Sequence, residues 1–213
     1  RDGHRVASPH IASRRSCRRA RFRHLEVESS VTPLEPRGDK LRVAIDRQTA
    51  FVRVVGRGTF KISTGLKRFG IAAIELDCRR FVVDLADCVS MDSTFMGVLV
   101  GVAFNMRRNG QGEIHLVNLS PRLELVLGTL GLDQVMLVHM EGSTPPEFED
   151  VLEQAEFDET DTESETPRDR VETMIGAHES LVEADPDNSP KFKDVLSFLR
   201  EDLRKKDASS STV

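Results

Sequence analysis

The sequence predicts an α/β domain at residues 41–140, with a mostly parallel sheet, an antiparallel N-terminal hairpin and packed helices, followed by a C-terminal helical hairpin. Three observations predict it. Apolar positions change from alternate spacing to helical spacing and back, in the order β-β-α-β-α-β-α-β. One stretch, "RFVVDLA" at residues 80–86, is apolar almost without interruption, as a strand covered on both faces requires. Glycine, proline and capping residues stand at the element ends.

In order, Leu41, Val43 and Ile45 alternate with polar or small residues and read as a half-buried strand. "AFVRVV" follows a short polar turn and pairs back as the second strand of a hairpin. Gly56 and Gly58 break it, and a helix is expected from Thr59 to Leu76, with Phe60, Leu66, Phe69 and Ile74 among its apolar positions. The strand "RFVVDLA" ends near Asp84. Asp92 and Ser93 are cap-type residues before a helix that sets Met96, Leu99, Val100, Ala103 and Met106 on one face. Arg107 and Arg108 complement the negative end of that helix, and Gly110 suits its exit. "EIHLVN" is a fourth strand. Ser120 caps a short helix, with Pro121 at its first position and Gly131 at its exit. "QVMLVH", residues 134–139, is the fifth strand.

The flanks differ in charge. Residues 1–40 carry ten basic and five acidic side chains, residues 41–140 twelve and nine, and residues 141–213 eight and twenty-one. Three segments of different kind are implied. Residues 1–40 read as a disordered basic tail, a processed start or an organelle-targeting segment, since they hold too little apolar surface to offset ordering. Residues 141–166 read as an acidic linker with a short helix around Val151 to Phe157. Residues 167–206 form the helical hairpin. Thr166-Pro167 opens its first helix, with Val171, Met174, Ile175, His178 and Leu181 in a stripe. Ser189-Pro190 opens the second, with Phe192, Val195, Leu196, Leu199 and Leu203. This pair is expected to be an autonomous docking element or a lid over the domain, and residues 207–213 a disordered tail.

Composition narrows the function. Of 213 residues 38% are apolar and 31% charged, and no stretch reaches the roughly 20 apolar residues of a membrane-spanning helix. Trp and Tyr are absent, which weighs against stacking on single-stranded nucleic acid, and no nucleic acid is expected as a partner. Three cysteines at 17, 78 and 88 are no disulfide framework, and neither C-x-x-C nor H-x-x-x-H spacing offers a metal site. Reduced thiols, a cytoplasmic location, no metal and no cofactor follow as expectations. Asp84, Asp87 and Asp92 suggest either Mg²⁺ binding or turn capping, and capping is the reading taken. His115 inside a strand reads as structural, and His178 on its helix as packing or solvated. No nucleophile–base or carboxylate pair stands out, so the chain is not expected to be an enzyme.

The ordered set Asp84-Leu85, Asp92-Ser93-Thr94, Gly97-Val98-Leu99, Val117-Asn118, Ser120-Pro121 and Gly131-Leu132-Asp133 resembles the STAS family, anti-sigma factor antagonist type. The resemblance implies a single STAS-like domain at 41–140 and a partner switch. A partner anti-sigma factor or related serine kinase would phosphorylate Ser93, with Thr94 as second candidate, and a metal-dependent serine phosphatase would reset it. A helix N-terminus tolerates a phosphate, which adds about -1.5 to -2 charges on a binding surface. The partner surface would comprise Asp92, Ser93, Thr94, Phe95 and Met96 with the loop residues Gly56, Arg57, Gly58 and Thr59. The chain has no Walker-A loop, "GRGTFK" not being one, and so would be substrate and ligand, not kinase. Two departures stand out. Phe95 replaces a usual Gly, and the loop at Gly56 to Lys61 lacks a usual Asp. They suit the alternative reading, a non-phosphorylated accessory subunit docked on an ABC-transporter ATPase.

Overall fold

Strand β1 (Lys40–Asp46) turns back antiparallel onto β2 (Thr49–Gly58), with Lys40 opposite Val55 and Asp46 opposite Thr49. This is seen in a computed structural model that describes residues 38–110, 112–160 and 165–210, so the expectation for the basic tail falls almost wholly outside the described residues, as does Cys17. Strands β3 (Arg80–Asp84), β5 (Glu113–Leu119) and β6 (Leu137–Met140) extend the sheet in parallel from β2. A short β4 (Cys88–Met91) pairs with the far end of β2, and β7 (Asp158–Glu159) pairs antiparallel with β1. The order is β6-β5-β3-β2-β1-β7, with β4 on the side of β2.

The period of two decides which residue meets which layer. Ala50, Val52 and Val54 of β2, Phe81 and Val83 of β3, and Ile114 and Leu116 of β5 join one core. That core is closed by α1 (Phe60–Glu75), α2 (Ser93–Gly110) and α3 (Pro121–Gly128), and by α5 (Pro167–Ala184), which supplies Ala177 and Leu181. Phe51, Val82 and Val117 point the other way and meet Phe148 and Leu152 of α4 (Pro146–Gln154). Both faces of β3 are therefore covered, which is why "RFVVDLA" runs apolar without alternation. Helix α6 (Ser189–Ser210) completes the hairpin with α5.

Four expectations are corrected here. The helix expected around Val151 to Phe157 within residues 141–166 lies at Pro146–Gln154, because Phe148 and Leu152 give α4 an apolar face that the second side of the sheet needs. The sixth strand starts at Leu137, not Gln134, because Gly131 (φ 70) turns the chain into a 3-10 turn at Leu132–Gln134. The expected tail at 207–213 is helical through Ser210. Strands β4 and β7 were not expected at all, being too short to show a period.

His115 lies on the α4 side. Its Nδ1 is 3.1 Å from His139 Nε2 and its Nε2 is 3.0 Å from Glu113, while its ring stacks on His139 and meets Phe148 edge-on. Burial and then the neighbouring His115 push His139 below its ordinary value of 6.5, against an upward pull from Glu147. Arg80 lies over the far Phe148 ring. A histidine that is harder to protonate when folded contributes stability that is lost as pH falls below about 6.5. Melting temperature is therefore expected to fall from pH 7 to 5 more steeply in the native protein than in His139→Gln. Equal slopes would remove His139 as the cause.

Candidate functional site

Asp92 ends the connection from β4 and sits between the starts of two helices. Its Oδ1 accepts from Phe95 N–H at 2.8 Å, the ordinary cap of α2. Its Oδ2 accepts from Phe60 N–H at 2.8 Å, in the first turn of α1. Thr59, at the N-cap position of α1, makes no side-chain cap, so one carboxylate serves both helices. That pair of bonds brings the positive ends of two helix dipoles together beside Ser93.

Ser93 is therefore not the cap of its helix. It is the first residue of α2, half-buried, and its Oγ lies 3.0 Å from His178 Nε2 of α5. His178 Nδ1 lies 2.7 Å from the Met174 carbonyl, which can only accept, so Nδ1 donates there, and in the neutral ring Nε2 is left to accept from the serine hydroxyl. The imidazole is 3% exposed and packs beside Phe192. A nucleophile–base contact does exist, contrary to expectation. It lacks a carboxylate to orient the ring, which a backbone carbonyl holds instead, and the ring is buried away from any substrate. His178 was legible only as one more member of the buried stripe of α5.

The other expected partner residues divide. Thr94, Phe95 and Met96 are 4%, 0% and 3% exposed, so they face the core and not a partner. This corrects their assignment and removes Thr94 as an accessible acceptor. Phe95 fills space that glycine provides, since a Cβ at Gly58 would stand 2.7 Å from Phe95 Cδ1. The Phe95 departure is thus matched by a glycine of the loop that faces it. Gly58→Ala is expected to cost about 1–3 kcal/mol through overpacking, read as a lower urea midpoint at unchanged slope. A neutral result would show that the Phe95 ring has room to turn.

Gly56 adopts φ 82, which its turn into the bulge at Arg57 requires. Arg57 is exposed and clamps Asp39 through Nε (3.2 Å) and Nη2 (3.1 Å), while its N–H also donates to Asp39 Oδ1. Burial pushes the Asp39 carboxyl up, but the Arg57 hydrogen bonds and charge outweigh it and hold the group below the usual range. Beside this loop β4 shows Val89 to solvent, an apolar surface residue that sequence pattern alone did not single out.

Asp84 is 3% exposed and accepts from Arg53 Nε (2.9 Å), Asn118 Nδ2 (2.8 Å) and Ala86 N–H (3.1 Å). Arg53 also donates to the Leu152 carbonyl at the end of α4. Asp87 contributes its carbonyl to Gly56 N–H. The three aspartates thus hold backbone and ion-pair partners, and among the described residues no three His, Cys, Asp or Glu side chains gather as metal ligands. Arg107 bonds the Val135 carbonyl and Arg108 pairs with Glu183 (2.7 Å), so neither simply closes its own helix. Burial pushes the thiols of Cys78 and Cys88 up. Among the described residues no helix is long and apolar enough to cross a membrane.

What fold and site define is a small α/β domain with an Asp–Ser pair where one carboxylate caps the starts of two helices. The STAS domain family model matches residues 16–155, and the chain belongs to that family. The match takes in α4 and leaves the α5–α6 hairpin outside. The anti-sigma factor antagonist SpoIIAA is similar in its unphosphorylated form at 19% identity over 54% of this chain and 98% of that one, TM-score 0.42. Its phosphorylated form, from Bacillus, is similar at 18% over 55% and 99%, TM-score 0.41. The protein TM1081 of Thermotoga maritima is similar at 18% over 53% and 85%, TM-score 0.44. No curated protein matches the chain.

Proposed function

We propose that this chain is a regulatory protein-binding module, an anti-sigma factor antagonist-like partner switch set by phosphorylation of Ser93. The observation that carries the reading is the division of labour at the start of α2. Asp92 does the capping, so the Ser93 hydroxyl has no structural duty in its own helix and is left for chemistry. A phosphate there would sit at converging helix N-termini, where negative charge is favoured. It would also add charge to the surface that an anti-sigma factor or related serine kinase would read. A serine phosphatase would restore the hydroxyl. The module is a ligand and substrate, not a catalyst.

The test is phosphosite mapping by mass spectrometry on protein isolated from its native cells, with a Ser93→Ala control. Phosphate on Ser93 that rises and falls with growth condition supports the switch. No phosphate in any condition, with a partner still co-purifying, sinks it and leaves constitutive docking on an ABC-transporter ATPase.

A further inference from the structure

Ser93, Gly97 and Gly101 follow one another at intervals of four and so line one face of α2. Helix α5 lies along that face. A Cβ at Gly97 would stand 2.2 Å from the Ala177 carbonyl oxygen, so the two backbones touch there. A Cβ at Gly101 would stand 3.2 Å from Ser180 Oγ. At the serine end the His178 imidazole closes the row, 3.0 Å from Oγ.

We infer that the α5–α6 hairpin is a built-in competitor for the Ser93 face, so that its docking and the phosphorylation of Ser93 exclude one another. The regulatory half of this inference rests on the proposed reading of Ser93. The steric half stands on distances. A phosphoryl group bonded to Oγ along the line of the present hydrogen bond would fall in the space now held by the imidazole. The ring is held in that place by the Met174 carbonyl at Nδ1 and by Phe192 packed beside it. A kinase meets the same obstacle from outside: it must bring its own groups to an oxygen that α5 covers.

The hairpin is built to hinge at its tip. Asn188, fully buried between the two helices, donates to the carbonyls of Leu130 and Leu181, and Lys191 donates to the Thr129 carbonyl. The exposed pair of Arg108 with Glu183 lies in the last turn of α5, near that tip, whereas toward the Ser93 end Thr64 of α1 donates to Glu165 and lies 3.4 Å from Thr173. Lifting α5 by its Ser93 end must therefore break the Thr64 contacts, while the turn stays anchored on the loop after α3.

Phosphoserine placed at position 93 of the full chain by genetic encoding tests this without a kinase. Hydrogen exchange of α5 amides (residues 167–184) is expected to quicken at least tenfold, while β3 and β5 keep their protection. Unchanged α5 protection would show that the phosphate fits beneath a docked hairpin, with His178 as its donor, and would overturn the inference. A second measurement does not depend on the phosphate. In a Cys17→Ser background, Ser93→Cys is labelled with a bulky maleimide, with and without Ala177→Arg, which puts a long charged side chain at a position 2% exposed in the core. Labelling is expected to rise at least tenfold with the arginine while the buried Cys78 and Cys88 stay unlabelled. Equal rates would mean that α5 is no cover. These results stand apart from the cellular one: a native protein never phosphorylated sinks the switch but leaves the cover, and an uncovered Ser93 that cells do phosphorylate sinks the cover but leaves the switch.

Discussion

Asp84→Ala is expected to lower the unfolding free energy by about 3 kcal/mol, the lower end of the range for breaking a buried ion pair by removing one partner. The carboxylate is 5% exposed and the Arg53 side chain 25%, so the arginine left behind recovers some water but not all. Three donors lose their acceptor at once: Arg53, Asn118 and the Ala86 N–H. The damage also crosses the sheet. Arg53 bonds the last turn of α4 and stacks under Phe157, and Asn118, held at φ 56, accepts from Thr144. Asp84→Asn keeps the shape and an acceptor and is expected to cost roughly half as much. Urea denaturation at neutral pH measures both. A loss below about 1 kcal/mol for the alanine variant would show Arg53 to be satisfied by water and α4 to be held by its apolar contacts alone.

Gly97→Ala sets two effects against each other. Alanine in a helix interior is favoured over glycine by about 1 kcal/mol. Against that, the new Cβ would lie 2.2 Å from the Ala177 oxygen, 2.6 Å from its carbonyl carbon and 2.9 Å from its Cα. These are backbone atoms, and no side-chain rotation relieves them. Helix α5 must move, and with it Leu181 and His178, both now buried. Overpacking of this kind costs about 1–3 kcal/mol in well-packed interiors, and with the propensity gain set against it a net loss of about 1 kcal/mol, reaching about 2, is expected. Gly101→Ala is the control, because its Cβ meets only the Ser180 hydroxyl, which can turn away, and helix propensity should win. Thermal melts of the two variants decide it, and a Gly97→Ala protein at least as stable as the native one would mean that α5 sits more loosely than its contacts imply.

The parts of the fold that were legible are those with a period. The alternation at Leu41, Val43 and Ile45, the apolar run at Phe81 to Val83 and the helical face at Met96 to Met106 each report a local geometry repeated several times. Strands of four and two residues repeat nothing, so β4 and β7 left no trace. Helix α4 was obscured by Glu147, Glu149, Asp150 and Glu153, which make its outer side look like a linker while Phe148 and Leu152 fill the other. At the site, Asp92 and Ser93 were legible as a pair, but not which of them caps. That depends on Phe60, 32 positions earlier in the chain, offering a second N–H to the same carboxylate. His178 was beyond reach for a similar reason, since its partner lies 85 positions away. Phe95 misled because a large apolar residue at a family glycine suggests a surface contact, whereas the space it needs is supplied by Gly58 at the end of β2.

The two-residue strand β7 has a consequence for how copies of the chain treat one another. Outer strand β1 would otherwise offer a row of unpaired amides, a template on which a strand of a second molecule could grow. Asp158 and Glu159 occupy part of that edge opposite Val43 and Arg42, and Lys40 holds Glu159 at 2.8 Å. Any intruding strand would have to displace a pair of carboxylates and approach their charge. A stretch too short to stabilise the sheet by itself is thus well suited to keeping the sheet from polymerising.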